Sequence, residues 1–163
     1  MRKTEMSILE ILTEDARTPA SEIAVMLGKE ESEIKEIIDR LEKQRIILRY
    51  PALINWERVD VDEVEALIEV RVMPQRGRGF DRVAERIWQF DEVESLYLMS
   101  GAYDLACIVT GKTLREVARF VSEHLSALED VTGTATHFIL KRYKDKHVIY
   151  ETKTVQEEGF VFS

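Results

Sequence analysis

The hydrophobic period of this 163-residue chain changes once along its length, and that change constrains the fold more than any single motif. Up to about residue 50 the apolar residues recur at helical spacing. Beyond about residue 63 they alternate as in a strand, then switch between the two periods in turn. In the first part Ile8, Leu9, Ile11 and Leu12 form one helical face, and Pro19 breaks it. A second short helix follows, with Ser21 standing where an N-cap would and Ile23, Ala24 and Leu27 on one side. Gly28 closes it at a position suited to a left-handed residue. A third helix carries Ile34, Ile37, Ile38 and Leu41 at i, i+3, i+4 and i+7. Three short helices with glycine in the second turn fit a helix-turn-helix. Periodicity alone leaves a generic three-helix bundle equally open.

Residues 46–54 are β-rich but contain Pro51, which predicts an edge or connecting strand. The domain boundary is expected between about 50 and 62, dividing the chain into 1–50, a connector 51–62, and 63–163. In the last part Val64, Ala66, Ile68, Val70 and Val72 make one face of a strand. Phe80, Val83, Ala84, Ile87 and Phe90 make one face of a helix. Strands are expected at 93–99 and 104–110 around a tight turn at 100–103. A helix through Leu114, Val117, Ala118, Val121, Leu125 and Leu128 follows, and a fourth strand spans 131–140. The order is βαββαβ, the split ferredoxin-like unit, so the fold class is α+β. Alternation at 147–152 suggests one further edge strand.

Catalytic signatures are scarce. His124, His137 and His147 lie 13 and 10 residues apart, without metal-ligand spacing. Cys107 sits inside the longest apolar run, residues 105–109, and reads as a small buried hydrophobe. One cysteine excludes an intramolecular disulfide and a four-thiolate zinc site. No Walker loop, nucleophile elbow or dinucleotide fingerprint occurs, and no cofactor is expected. The loop Gln75-Arg76-Gly77-Arg78-Gly79 could touch phosphate, or simply join a strand to a helix. The apolar run is too short to span a membrane, and the N-terminus is not of signal-peptide type, so cytoplasm is the default.

Net charge bears on a nucleic-acid partner. The chain carries −8, which opposes coating nucleic acid by bulk charge. Residues 1–50 hold nine basic and eleven acidic residues, whereas 51–163 hold 14 and 20. The helical part is therefore nearly balanced. A helix-turn-helix presents the start of its second helix to base edges. Here that stretch is residues 29–36, with four glutamates among eight residues. Those carboxylates suit the helix dipole and repel phosphate. Lys29, Lys35, Arg40, Lys43, Arg45 and Arg49 could still form one basic edge.

The run ILEILTEDARTPASEIAVMLG (8–28), followed by DRLEKQRII (39–47), resembles the winged helix-turn-helix of the Lrp/AsnC, or feast/famine, transcriptional regulators. LMSGAYD (98–104) is similar to that family's Gly-x-Tyr/Phe-Asp turn, and VTGTAT (131–136) with ILK (139–141) to its last strand. The resemblance spans about residues 4–153. It implies double-stranded DNA as partner, contacted through Lys29, Ser32, Lys35, Glu36, Arg40 and Lys43. It implies a homodimer built on the C-terminal sheets, assembling to tetramers or octamers. It further implies an amino acid or similar small effector at Gly101, Tyr103, Asp104, Thr134 and Thr136. Asp104 could accept from an ammonium, while backbone N–H groups and threonine hydroxyls could hold a carboxylate. Gly101 and Asp104 could equally serve only the hairpin turn. The chain departs from the family at Glu30, where a Ser or Thr cap is usual, at Lys29 for an apolar turn residue, at Ile37 for an Arg, at Arg45 for a Gly and at Ala135, where some members carry Arg.

Two other functions share this layout. A metabolite-sensing or assembly protein could use the helix-turn-helix for protein contacts, with Ile37 as an exposed anchor. A siroheme-decarboxylase-like enzyme would need a histidine cluster that the spacing does not supply. A regulator rather than an enzyme is the expectation.

Overall fold

The structure, a computed structural model, describes residues 3–73 and 79–150. The chain divides into two compact units, Met1–Ile54 and Asn55–Ser163.

The first unit contains helices α1 (Lys3–Glu14), α2 (Ala20–Leu27) and α3 (Glu31–Lys43). Ile8, Ile23, Ala24, Ile34, Ile37 and Leu41 form its buried core. Burying side chains of this size contributes roughly 1.5–3 kcal/mol each, which outweighs the weak intrinsic stability of helices this short. Three residues join α2 to α3. Gly28 adopts φ 62°, with its N–H on the Val25 carbonyl, while the Lys29 N–H reaches the Ala24 carbonyl. This pair of bonds is a Schellman closure that satisfies the last carbonyls of α2. Ser21 does not cap α2. Pro19 holds that position in extended conformation, and Ser21 lies one residue inside the helix. Pro19 suits the start of a helix because the proline ring presets φ and the first amides need no intrahelical acceptor. Residues 46–54, expected as a strand, form no strand ladder among the described residues. Pro51 lacks a donor, and no strand occurs among the described residues of this unit to receive the segment.

Helix α3 ends with the same closure as α2, but on a non-glycine residue. Arg45 takes φ 56°, its N–H meets the Glu42 carbonyl, and the Ile46 N–H meets the Leu41 carbonyl. A side chain in left-handed conformation costs about 1–2 kcal/mol, which glycine avoids at some cost in chain entropy. Arg45→Gly is therefore expected to raise the stability of this unit by about 0.5–1 kcal/mol. The measurement is a denaturation midpoint at unchanged slope, and an unchanged or lowered midpoint would refute the strain.

The second unit is a four-stranded antiparallel sheet in the order β2-β3-β1-β4. Its strands are β1 (Val64–Val72), β2 (Val93–Leu98), β3 (Leu105–Gly111) and β4 (Val131–Phe138). Helices α4 (Asp81–Ile87) and α5 (Leu114–Phe120) supply the apolar faces that cover one side. The order and connections are those of the split ferredoxin-like unit. Ala66, Ile68, Val70, Cys107 and Val109 are all buried beneath the helices. Burial pushes the Cys107 thiol up to about 12, so it stays protonated at neutral pH and packs as a hydrophobe. Thr113 caps α5 by accepting from the Glu116 N–H at 3.1 Å. The expected helix through Leu128 is shorter. It widens into a π turn over Val121–Leu125, which keeps Val121 and Leu125 on the core side.

The expected edge strand at 147–152 is instead a separate hairpin, β5 (Lys144–Asp145) with β6 (Val148–Ile149); residues 151–152 lie outside the described ones. Lys146 and His147 have φ 47° and 70°, the two left-handed residues of a tight hairpin turn. The hairpin is anchored through Arg142. Its N–H donates to Glu57 at 3.3 Å, its guanidinium pairs with Glu65 of β1, and it lies 5.6 Å from the Tyr150 ring centre. Partial burial lowers the Arg142 pKa, and the Glu65 carboxylate together with Tyr150 raises it, leaving the guanidinium above its ordinary value. Arg142→Ala is expected to cost about 1–2 kcal/mol and to speed amide exchange in β5–β6 selectively. Unchanged exchange there would mean the hairpin is held by other contacts.

Candidate functional sites

The helix-turn-helix face is the first candidate. Ile34, Ile37 and Leu41 turn α3 inward, so Ser32, Lys35, Glu36 and Lys43 lie on its exposed side. Ile37 is only 8% exposed. It belongs to the unit's own core, which removes the exposed anchor on which a protein-contact reading of this helix rested.

The basic residues are largely paired. Lys29 Nζ lies 2.6 Å from Glu33, and Lys35 Nζ lies 2.6 Å from Glu31. Arg40 Nη2 donates to Glu5 of α1 at 2.6 Å. Arg40 thus ties α3 to α1 and sits on the seam between helices. The i,i+4 spacing of residues 29/33 and 31/35 signals the first two pairs in the sequence, whereas the third joins residues 35 apart and carries no local signal. Glu30 occupies the N-cap of α3 in extended conformation without a side-chain cap bond. The first-turn carboxylates Glu31 and Glu33 meet the helix dipole instead. Tyr50 closes the far end of this face: its hydroxyl donates to Glu42 at 2.7 Å. Burial, and then the Glu42 hydrogen bond, push the phenol up to about 12.

The second candidate is the turn between β2 and β3. Gly101 adopts φ 150°, and a Cβ there would meet nothing within 4 Å. Glycine is required at that position for its backbone angle, with open space beside it. Asp104 has a defined job. The ladder of β1 shifts register between Arg71 and Val72, and Asp104 Oδ2 takes the Val72 N–H at 2.8 Å. The Asp104 N–H donates to Val70, and its carbonyl accepts from Met99. Tyr103 and Asp104 are half-buried, whereas Gly101 is exposed. The turn is thereby riveted to the end of β1.

Thr134 and Thr136 lie elsewhere. They pair across β1 with Val70 and Ile68, so they share the helix-covered face of the sheet. Thr134 Oγ1 is 3.2 Å from Ser126 Oγ. From β3 to β4 is two strand spacings, about 10 Å, with β1 between. The structure brings Gly101, Tyr103 and Asp104 together and keeps the threonines on the other side of β1. The sequence reading missed the Asp104–Val72 bond, because a strand bulge has no local signature in β1. The Gln75–Arg78 loop lies outside the described residues, and Gly79 has φ 55°. His124 packs on Phe90 and Phe120, and His137 Nε2 faces Glu69 at 3.2 Å. No cluster of three metal-ligating side chains occurs among the described residues, and no helix there is long and apolar enough to cross a membrane.

A helix-turn-helix unit followed by a ferredoxin-like unit with a glycine-containing turn defines a one-chain transcriptional regulator with its own ligand-binding domain. Residues 65–149 match the Lrp/AsnC ligand binding domain, and residues 1–47 match a winged helix-turn-helix DNA-binding domain. The chain belongs to the Lrp/AsnC family of DNA-binding transcriptional regulators. It is 52% identical over 153 residues to the uncharacterized HTH-type transcriptional regulator YugG of Bacillus subtilis, covering 93% of this chain and 92% of that one. It is 31% identical to the HTH-type transcriptional regulator LrpA of Pyrococcus abyssi, covering 84% and 94%. The fold is that of Mycobacterium tuberculosis LrpA, with a TM-score of 0.76 at 22% identity and coverage of 90% and 97%. It is also that of a Neisseria meningitidis regulator solved in complex with L-Met, with a TM-score of 0.71 at 23% identity and coverage of 89% and 93%. The relatives are regulators, and none of these matches points to an enzyme family.

Proposed function

We propose that a free amino acid, bound at the Gly101–Asp104 turn, controls DNA binding by this regulator. The observation that carries the reading is the Asp104 carboxylate, fixed through Oδ2 to Val72 beside the open backbone of Gly101. Its Oδ1 supplies the acceptor for an ammonium, and the N–H groups of Gly101 and Ala102 supply donors for a carboxylate. The L-Met bound by the Neisseria regulator supports the ligand class. Thr134 and Thr136 join such a site only from a neighbouring subunit, since β1 separates them from the turn of their own chain.

DNA contact falls on Lys29, Ser32, Lys35, Glu36 and Lys43, with Arg40 holding α3 in place. A homodimer fits the sheet. Its helix-free face carries Leu67 of β1, Tyr97 of β2 and Ile108 of β3, apolar surface suited to a second sheet. A thermal-shift screen of the twenty amino acids tests the effector. A ligand at 100 times its Kd stabilises by about 2.7 kcal/mol, and no shift with any of the twenty would overturn the proposal.

A further inference from the structure

Two oppositely charged surfaces lie at the same end of the C-terminal sheet. The first is the β5–β6 hairpin. Within the hairpin Lys144 and Lys146 stand against Asp145, in a chain of net charge −8, and the preceding Arg142 is already paired with Glu65. The hairpin exposes Lys144 and Lys146 beside Tyr143, Val148 and Ile149, which are 66%, 52% and 65% exposed. Such apolar exposure on a two-residue ladder is more than a solvated loop requires.

The second is a shallow groove of about 530 Å³ where β1 and β2 begin and β3 ends. Asp62, Glu63, Asp91, Glu92 and Glu116 line it against the single cation Lys112, and the exposed side chains of Trp56 and Val61 add apolar surface. A smaller cavity of about 240 Å³ continues from it past Glu92 and Glu116. The 3-10 turn Trp56–Arg58 touches both surfaces: Glu57 accepts from Arg142 at the hairpin base, and Trp56 is among the residues that line the groove. The hairpin lines neither cavity of its own chain.

We propose that the β5–β6 hairpin docks into the acidic groove of a second copy of this chain. Lysines meet carboxylates, and Val148 and Ile149 meet Trp56 and Val61. Because both surfaces sit at one end of the unit, a two-fold axis between them engages both pairs at once. The contact is then isologous and closed. Charge steers the encounter and the apolar residues hold it. This contact is separate from pairing through the helix-free sheet face, and it requires only a second copy.

Sedimentation velocity of the full chain over a dilution series tests it. Lys144→Glu with Lys146→Glu, and separately Glu63→Lys with Glu92→Lys, should each raise the dissociation concentration at least tenfold at low salt. Combining all four substitutions should restore it, because opposite charges face each other again. Restoration is specific to this pair of surfaces, so damage to the sheet-face contact cannot imitate it. Masses unchanged in both charge-reversed variants would overturn the proposal. So would a combined variant that is natively folded yet dissociated. Loss of DNA affinity in the hairpin variant with assembly intact would also overturn it, assigning the hairpin to phosphate.

Discussion

Reversing Lys35 and Lys43 to glutamate is expected to weaken operator binding by about 100-fold at moderate salt and to flatten the salt dependence. Both side chains sit on the exposed side of α3, opposite buried Ile34, Ile37 and Leu41. Each neutralised phosphate contributes about −0.9 to the slope of log affinity against log salt, so losing two contacts removes nearly two from that slope. Lys35 is paired with Glu31 in the free protein, at 2.6 Å with both side chains about half exposed. Such a pair is worth only about 0.2–1 kcal/mol and gives way to a phosphate at small cost. Anisotropy titrations of upstream DNA across a salt series measure both quantities. Unchanged affinity in the double variant would place the DNA face elsewhere. Arg40→Glu is a poor probe of the same face, because it sets a second carboxylate against Glu5 and loosens the α1–α3 seam.

Asp104→Ala is expected to abolish the amino-acid thermal shift and, separately, to lower stability by about 1–3 kcal/mol, because the Val72 N–H loses its acceptor. Asp104→Asn divides the two roles. Its amide oxygen can still accept from Val72, so stability should stay near that of the parent chain, while the charge that meets an ammonium is gone. The expected pattern is a stability loss in the alanine variant only and loss of the ligand shift in both. An asparagine variant that keeps the full shift would refute the ammonium contact. An alanine variant as stable as the parent would refute the rivet between turn and β1.

The order of the elements was legible because burial of one face imposes a period. Ile34, Ile37 and Leu41 at helical spacing, and Ala66, Ile68 and Val70 at spacing two, lie on the faces their periods imply. Gly28 and Gly101 were legible for a related reason, since both stand where the backbone needs a positive φ. Illegible were the features joining distant residues. Arg40 reaches Glu5, Arg142 reaches Glu65, and Asp104 reaches Val72. Ile37 lies on the core stripe its spacing implies, and only the packed helices show that this stripe is covered by the unit's own residues rather than left for a partner.

The net charge of −8 illustrates the division. From sequence it is a sum, smaller in the helical part than in the rest, and it opposes bulk attraction to DNA. The tertiary structure decides where each charge is spent: on i,i+4 pairs along α3, on the α1–α3 seam, and on the basic hairpin and acidic groove at one end of the sheet. The sequence by itself determined the change from a helical part to a mixed part and the order of the main helices and strands, because periodicity and turn chemistry are local, and its motifs carried the family resemblance. Which charges remain available, which carboxylate holds a strand, and which threonines share a face with the core were decided only by folding. Those outcomes depend on side chains brought within a few ångströms from opposite ends of the chain, and electrostatic and hydrogen-bond energies fall off over that distance.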